Sequence, residues 1–74
     1  MYEVDTIELR KQMIEKGLLT IQEMAEACHL SRDTMSDILN GKARPGAVAM
    51  YAIAETLMLE PEILGRIFFK RRVA

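Results

Sequence analysis

Apolar residues recur at helical spacing in five stretches of the chain, and polar or glycine-containing segments separate these stretches. In the second stretch, Ile21, Met24, Ala25 and Cys28 are three or four residues apart, which places them along one face of a helix. The same pattern predicts helices over approximately residues 5–16, 21–28, 32–40, 46–58 and 61–70. We therefore expect residues 1–74 to form a single all-α domain of five helices.

Residues that favour helix ends stand at these boundaries. Thr20 and Glu23 have the spacing of a capping box, in which the hydroxyl can accept from the Glu23 amide and the carboxylate can reach back to the Thr20 amide. Ser31 can cap the next helix through its side chain. Further residues of this kind are Asp5 with Glu8, Gly17, Asn40 with Gly41, Pro45, and Glu60 with Pro61.

Only His29 and Leu30 separate the second helix from the third. So short a connection makes the two helices cross steeply, with Ala25 small enough for close approach and Leu30 filling the angle. This is the geometry of a helix-turn-helix. The third helix then presents one polar face, made of Arg32, Asp33, Ser36, Asp37 and Asn40. Each of these side chains can donate to or accept from a base edge, and an α-helix fits the major groove of B-DNA.

The residues of this motif resemble those of the phage Cro and lambda repressor family, a large bacterial group of small helical regulators. Met24-Ala25 stands where the family usually has Leu-Ala, Leu30-Ser31 matches its Val-Ser, and the apolar sites of its recognition helix are filled. The matching segments are Met24-Ala25, Leu30-Ser31, Met35, Ile38, Asn40–Pro45 and Ile53–Leu57. The resemblance implies a compact five-helix DNA-binding domain with the helix-turn-helix at helices 2 and 3.

The chain departs from the family pattern at several positions. Ile21 replaces a Gln that bonds a phosphate in many members, so only the helix amides remain there. His29 replaces the usual turn Gly, and we expect it to need a positive φ. Family members often pair an Arg of the first helix with a Glu of the third. The counterparts here, Met13 and Leu39, would make an apolar contact instead.

The candidate base-reading residues are Arg32, Asp33, Ser36 and Asp37. Arg32 could bond a guanine through O6 and N7. Ionised Asp33 and Asp37 can only accept, so they would favour cytosine amino groups and be repelled by phosphates. A simpler interpretation is that Asp33 favours the helix N-terminus and that Asp37 is tolerated on a solvated surface.

Two cations, Lys42 and Arg44, lie in the loop after the third helix. In the family this loop meets the DNA backbone, although Lys42 could simply offset the negative end of the helix dipole, an effect below about 1 kcal/mol. The expected phosphate-binding residues are Thr20, Gln22, Ser31, Asn40, Lys42 and Arg44.

The net charge of −1 and the pI near 5.8 do not favour nucleic-acid binding, which depends largely on phosphate neutralisation. The distribution of charge matters more. Six of the 11 acidic residues precede residue 30, whereas Arg32, Lys42, Arg44 and residues 70–72 are cations that follow it. The domain can thus be acidic on one side and basic on the other.

The chain ends offer two further candidates. Phe68 and Phe69 are adjacent, so both cannot face one core. The remaining ring could cover the core edge, or both residues could mark a possible homodimer interface. The cations of residues 70–72 could contact phosphate, complement the helix dipole or aid solubility, and residues 1–4 are expected to be a loose arm.

Catalysis is not indicated. One Cys permits no internal disulfide, and Cys28 falls on the buried stripe of its helix, where a small core residue is expected. Cys28 and His29 have no further ligand at metal-binding spacing, and neither a Gly-rich phosphate loop nor a Ser-His-Asp set occurs. We expect no enzyme, cofactor or metal.

The sequence contains no apolar run near 18 residues, the length that a membrane-spanning helix needs. We therefore expect a cytoplasmic protein rather than a membrane protein.

Three interpretations of function remain. The first is a sequence-specific regulator, a repressor, that binds a double-stranded operator with an inverted repeat as a homodimer. The second is a protein-interaction module on the same fold, similar to an antirepressor or antitoxin, that uses the Asp33/Asp37 face against a basic partner. The third is the DNA-binding piece of a longer repressor.

Overall fold

The computed structural model of the protein describes residues 2–72, and these form five helices and two short strands. The elements are β1 (Tyr2–Glu3), α1 (Thr6–Glu15), α2 (Ile21–Cys28), α3 (Arg32–Leu39), α4 (Ala47–Thr56), α5 (Pro61–Phe68) and β2 (Lys70–Arg71). Each helix begins and ends within two residues of its predicted bounds. The prediction of a five-helix domain with a helix-turn-helix at α2 and α3 is therefore confirmed.

The two strands bring the described ends of the chain together. They pair antiparallel, with Tyr2 opposite Arg71 and Glu3 opposite Lys70, and the Asp5 amide donates to the Ile67 carbonyl over 2.6 Å. The expectation of a loose arm over residues 1–4 is wrong for Tyr2 and Glu3, because their backbone groups pair with β2; Met1 lies outside the described residues. We call the pair of strands β1 and β2 the ribbon. Because Lys70 and Arg71 belong to the ribbon, α5 stops at Phe68 and not at residue 70 as predicted.

The core is a single cluster of side chains from all five helices and the residue that follows α4. The helical spacing of apolar residues in the sequence accounts for its membership. Its buried members are Leu9, Met13, Met24, Ala25, Cys28, Met35, Ile38, Leu39, Ile53, Leu57, Ile67 and Phe68. Between residues 2 and 72, no polar or charged side chain is buried.

Cys28 belongs to this core, as expected from its place on the α2 stripe. Burial raises the pKa of the Cys28 thiol, and a side-chain hydrogen bond with Thr56 opposes that shift. Because the thiolate is the reactive form, the sulfur is protected both by its neighbours and by its protonation.

The N-termini of α2 and α3 are capped by the predicted hydroxyls. Thr20 Oγ1 accepts from the Glu23 amide over 3.0 Å, and Ser31 Oγ accepts from the Thr34 amide over 3.1 Å. Each bond satisfies an amide that has no partner within its own helix. The Ser31 cap fixes where α3 starts and, together with the end of α2 at Cys28, sets the length of the turn between the two helices.

The first four helices end with the same backbone closure. In each, an amide donates to the carbonyl five residues earlier, across a residue with a positive φ, which is the Schellman motif. The bonds run from Leu18 to Met13, from Leu30 to Ala25, from Lys42 to Asp37 and from Leu59 to Ala54, with lengths of 2.8–3.0 Å. The residues with positive φ are Gly17, His29, Gly41 and Met58.

Two of these four positions are not glycine. His29 has φ 57°, which confirms the expectation of a positive φ in the turn, and Met58 has φ 51°. A side chain in this left-handed region brings its Cβ close to the following carbonyl oxygen. The sequence Leu57-Met58-Leu59 gives no local indication of such a turn, and the Met58 conformation was not predicted.

A polar contact that the sequence analysis missed ties α1 to the end of α3. One terminal nitrogen of Arg10 donates to the Leu39 carbonyl and to Asn40 Oδ1, each over 3.0 Å. Met13 and Leu39, the residues expected to replace a family ion pair, are both buried in the core. The hydrogen bonds between these helices therefore come from Arg10, one helical turn before Met13.

The longest helices among residues 2–72, α1 and α4, have 10 residues each, and none of the described helices could cross a bilayer.

Replacing His29 with glycine should stabilise the fold. The change relieves backbone strain in the left-handed region, which stabilises the folded state by about 1–2 kcal/mol. Glycine also gives the unfolded chain more conformational freedom, which opposes this gain by about 0.4–1 kcal/mol. We expect the free energy of unfolding, measured with urea, to rise by about 0.5–1 kcal/mol. Lys16→Gly is the control, since Lys16 ends α1 with φ −94° and has no such strain to relieve. If both variants lose stability equally, His29 is not strained.

Removing the Arg10 guanidinium should loosen the contact between α1 and α3. Arg10→Met keeps much of the aliphatic stem but deprives the Leu39 carbonyl and Asn40 of their donor. We expect the free energy of unfolding to fall by about 1–2 kcal/mol, since the bonds are charge-assisted and only partly buried. Lys11→Met, at an exposed position of the same helix, should change it by less than about 0.5 kcal/mol. Equal effects would mean that the Arg10 bonds contribute nothing.

Candidate nucleic-acid interface

The helix-turn-helix leaves one face of α3 open to solvent. Met35, Ile38 and Leu39 face the core and are buried. On the opposite side Arg32, Asp33 and Asp37 are exposed, and Ser36 is half-buried. Because residues four apart are neighbours on a helix, Arg32 lies beside Ser36 and Asp33 beside Asp37. The structure thus brings the four candidate base-reading residues onto one surface.

The charges on this face are not paired with one another. Arg32, Asp33 and Asp37 form no ion pair with any of the other residues in the range 2–72. The surface therefore offers a planar guanidinium donor near the start of α3 and two carboxylate acceptors along it. A nucleic acid or a protein with matching polar groups could bind all three.

At the C-terminal end of this face, three side chains form a hydrogen-bonded chain. Arg10 donates to Asn40 Oδ1, and Asn40 Nδ2 donates to Ser36 Oγ over 3.2 Å. The Ser36 oxygen is thereby used as an acceptor, which leaves its O–H as a donor to the outside. Asn40 is exposed but held at both ends of its amide, so its position relative to α3 is fixed.

The other candidate phosphate-binding residues on α2 and α3 are exposed and already have partners within the chain. Thr20 and Ser31 act as helix caps, and the Ser31 hydroxyl also donates to Thr34 Oγ1 over 2.8 Å. Gln22 Nε2 donates to Glu26 Oε2 over 3.2 Å. Ile21 packs half-buried against the core, and its hydrocarbon side chain offers no polar group to a ligand.

The loop after α3 carries Lys42 and Arg44 on the surface. Its first turn is tight, because the Lys42 and Ala43 amides both donate to the Asp37 carbonyl, over 2.8 and 3.2 Å. The Arg44 guanidinium lies over the ring of Phe69, 4.9 Å from the ring centroid. The two cations therefore lie next to the end of α3, on a loop whose first residues are hydrogen-bonded to the backbone of α3.

Only one of the two candidate dimer residues is accessible. Phe68 is 0% exposed and belongs to the core, whereas Phe69 is 44% exposed. Phe68 must be removed from the possible dimer interface, because a partner could not reach its ring without opening the core. Phe69 remains as a candidate.

Two residues near this surface were missed by the sequence analysis, namely Arg10 and Tyr2. The ring of Tyr2 meets that of Phe69 edge-on, with centroids 6.0 Å apart and an angle of 82°. Arg10 and Tyr2 contact residues that are far away in the sequence, so the spacing of nearby residues could not have indicated these contacts. In the described part of the chain, no three His, Cys, Asp or Glu side chains lie together as a metal site would need.

Comparison with known families agrees with this geometry. A family model for the Cro/C1-type helix-turn-helix DNA-binding domain matches residues 8–66, a range that includes α2, α3, α4 and the loop with Lys42 and Arg44. Searches of the curated proteins and of the solved structures found no match. Because the family model covers most of the chain, the protein belongs to the family of Cro/C1-type helix-turn-helix DNA-binding domains.

Proposed function

We propose that the protein is a sequence-specific regulator of transcription that binds double-stranded DNA with the exposed face of α3 in the major groove. The observation that carries this proposal is the unpaired polar face of Arg32, Asp33 and Asp37 on the second helix of a helix-turn-helix, in a chain from a DNA-binding family. A regulator of bacterial DNA acts in the cytoplasm, which is where we expect the protein.

Each charged residue of the face has a preferred base. The Arg32 guanidinium can donate to both O6 and N7 of a guanine. Asp33 and Asp37 accept from the N4 amino group of cytosine. Ser36 lies between them, and its O–H can donate to an acceptor such as guanine N7 or thymine O4. The operator half-site should therefore be rich in guanine and cytosine at the positions beneath α3.

The two aspartates would make DNA binding by a chain with a net charge of −1 depend strongly on base sequence. Carboxylates close to the DNA backbone weaken binding to every sequence, since they oppose phosphate attraction. A correct base pair compensates for this repulsion only where it supplies an amino group. We expect weak non-specific binding and strong discrimination between sequences.

The phosphate contacts fall on either side of α3 in this proposal. Lys42 and Arg44 would neutralise phosphates at its C-terminal end. Hydrogen bonds to the DNA backbone would come from the N-terminal caps of α2 and α3, from α2 itself and from the residue that follows α3, namely Thr20, Ser31, Gln22 and Asn40. These contacts fix the register of α3 in the groove but do not select sequence. Lys42 could still act only on the α3 dipole, and a salt titration separates the two roles.

We further propose that two copies bind an inverted repeat and act as a repressor. A twofold dimer matches an operator with two equivalent half-sites. The exposed ring of Phe69 is the candidate contact between copies, since a ring 44% exposed at the end of the last helix leaves apolar area to cover. A longer chain that supplies its own dimerisation domain would be compatible with the same operator.

A second candidate function is a protein-interaction module that uses the same face of α3. It is favoured by the unpaired Asp33 and Asp37 and by Ile21, which lacks a polar group for phosphate. A basic protein surface would satisfy both carboxylates. Base preference distinguishes the two functions, because a protein partner would leave the domain without one.

Asp37→Asn tests the base-reading role. The side chain is exposed and the Asp37 carbonyl that closes the loop is unchanged by the substitution, so the fold should be preserved. We expect relaxed preference at one base pair, with discrimination there reduced by about 1–3 kcal/mol, measured by titrating duplexes that differ at single positions. Glu55→Gln, on α4, is the control for the change in net charge. If Asp37→Asn raises affinity for every duplex as Glu55→Gln does, Asp37 reads no base.

Lys42→Ala tests the phosphate contact. We expect the slope of log K against log salt concentration to fall by about 0.9, with equal loss of affinity for all sequences. Lys11→Ala, an exposed cation on α1, should leave the slope unchanged. A slope that is the same in Lys42→Ala and in the unmodified protein would remove Lys42 from the interface and support the role at the helix dipole.

A further inference from the structure

Three side chains from distant parts of the chain form one stack beside the loop that follows α3. Tyr2 comes from β1, Phe69 follows α5, and Arg44 lies in the loop. The Tyr2 and Phe69 rings meet edge-on with centroids 6.0 Å apart, and the Arg44 guanidinium lies 4.9 Å from the Phe69 centroid on a face of that ring. The ribbon of β1 and β2 therefore forms a support for one cation of the candidate interface.

The stack borders an open groove of about 350 Å³ between the ribbon and the loop, whose lining includes Tyr2, Asp5, Gly41, Lys42, Arg44 and Lys70. Lys70 lies 4.0 Å from an Asp5 carboxylate oxygen, so its charge is partly offset. Lys42 and Arg44 form no ion pair with any other residue between 2 and 72. They supply the unpaired positive charge at this groove.

Stacking on an aromatic ring leaves an arginine able to bind an anion. When a guanidinium lies flat on an aromatic ring, its N–H groups point outward in its own plane and remain able to donate. An arginine often binds a phosphate through two such N–H groups, which form a fixed fork. A flexible arginine must lose rotamer freedom to make that contact, and an arginine already held on a ring loses less.

We propose that Phe69, braced by Tyr2, positions the Arg44 guanidinium to bind a phosphate of the DNA backbone. The proposal rests on the proposed function, because the ligand of Arg44 is the DNA that α3 reads. Phe69 touches no DNA in this arrangement and acts through Arg44 as a positioning residue. Tyr2 and Phe69 both lie outside residues 8–66, the range that the family model matches, so this support is not part of the matched domain.

A double-mutant cycle on DNA binding tests the proposal. The proteins are the unmodified chain, Phe69→Leu, Arg44→Ala and the double variant. Each is titrated at several salt concentrations on a mixed-sequence duplex and on the duplex that the unmodified chain enriches most from a random library. Arg44→Ala should lower the salt slope by about 0.9. Phe69→Leu should weaken binding about 2- to 5-fold, and the double variant should bind no more weakly than Arg44→Ala alone.

Two further variants separate positioning from a loss of folding. Phe69→Tyr retains the ring over Arg44 and should bind like the unmodified chain, so a loss of affinity confined to Phe69→Leu traces to the missing ring. If Phe69→Leu unfolds, the salt slope of Arg44→Ala still tests the phosphate contact on which the proposal depends. Tyr51→Leu removes an aromatic ring that is 69% exposed on α4, and it should leave DNA binding unchanged. Circular dichroism and thermal unfolding confirm that the compared proteins are folded.

The results distinguish failure of the proposed DNA-binding function from failure of the proposed positioning of Arg44 by Phe69. If the effects of Phe69→Leu and Arg44→Ala on affinity add, Phe69 acts independently of Arg44, as a contact between two copies would, and this inference fails. It also fails if Phe69→Leu has no effect on affinity. If the unmodified chain binds DNA but Arg44→Ala keeps its full salt slope, this inference fails and the proposed function stands. If the unmodified chain neither enriches a duplex nor binds one in a salt-dependent way, both proposals fail.

Discussion

The direction of α3 depends on the left-handed backbone at His29. With φ 57° at this residue, the chain closes the end of α2 through the bond from the Leu30 amide to the Ala25 carbonyl and reaches the cap of α3 at once. If the backbone at this position were extended, the turn would be longer and the orientation of α3 would change. The present orientation buries Met35, Ile38 and Leu39 and leaves the polar face of α3 exposed. The backbone conformation of His29 thus helps to decide which side of α3 faces solvent.

The same closure at the other end of α3 places the cations of the loop. Gly41 takes the left-handed position, and the next two amides bond the Asp37 carbonyl. Arg10 adds a bond to the Leu39 carbonyl from α1. The end of α3 is therefore held by its own backbone and by a neighbouring helix. Preorganised surfaces lose less entropy when they bind, and this matters for a domain whose net charge gives little general attraction to DNA.

Helix positions could be predicted because their causes are local. Apolar spacing, the hydroxyl caps and the glycine ends act within a few residues, and the resemblance of the turn to a known family indicated the positive φ of His29. The remaining features depend on residues far apart in the sequence. Arg10 bonds atoms 29 and 30 residues away, and strands of two residues have no periodicity to detect. Packing alone determined that Phe68 is buried and Phe69 is not. The members of the polar face of α3 were predicted residue by residue, whereas the contacts that Arg10 and Tyr2 make beside it were not.

Selection from a random duplex library at low salt tests the central claim, that the exposed face of α3 reads base sequence. The account predicts an enriched inverted repeat with half-sites about 10 base pairs apart, centre to centre, and guanine or cytosine at the positions beneath α3. Binding titrations on the enriched duplex should show higher affinity than on a scrambled one at every salt concentration. No enrichment, together with equal and weak binding to both duplexes, would contradict the claim and indicate that α3 recognises a protein.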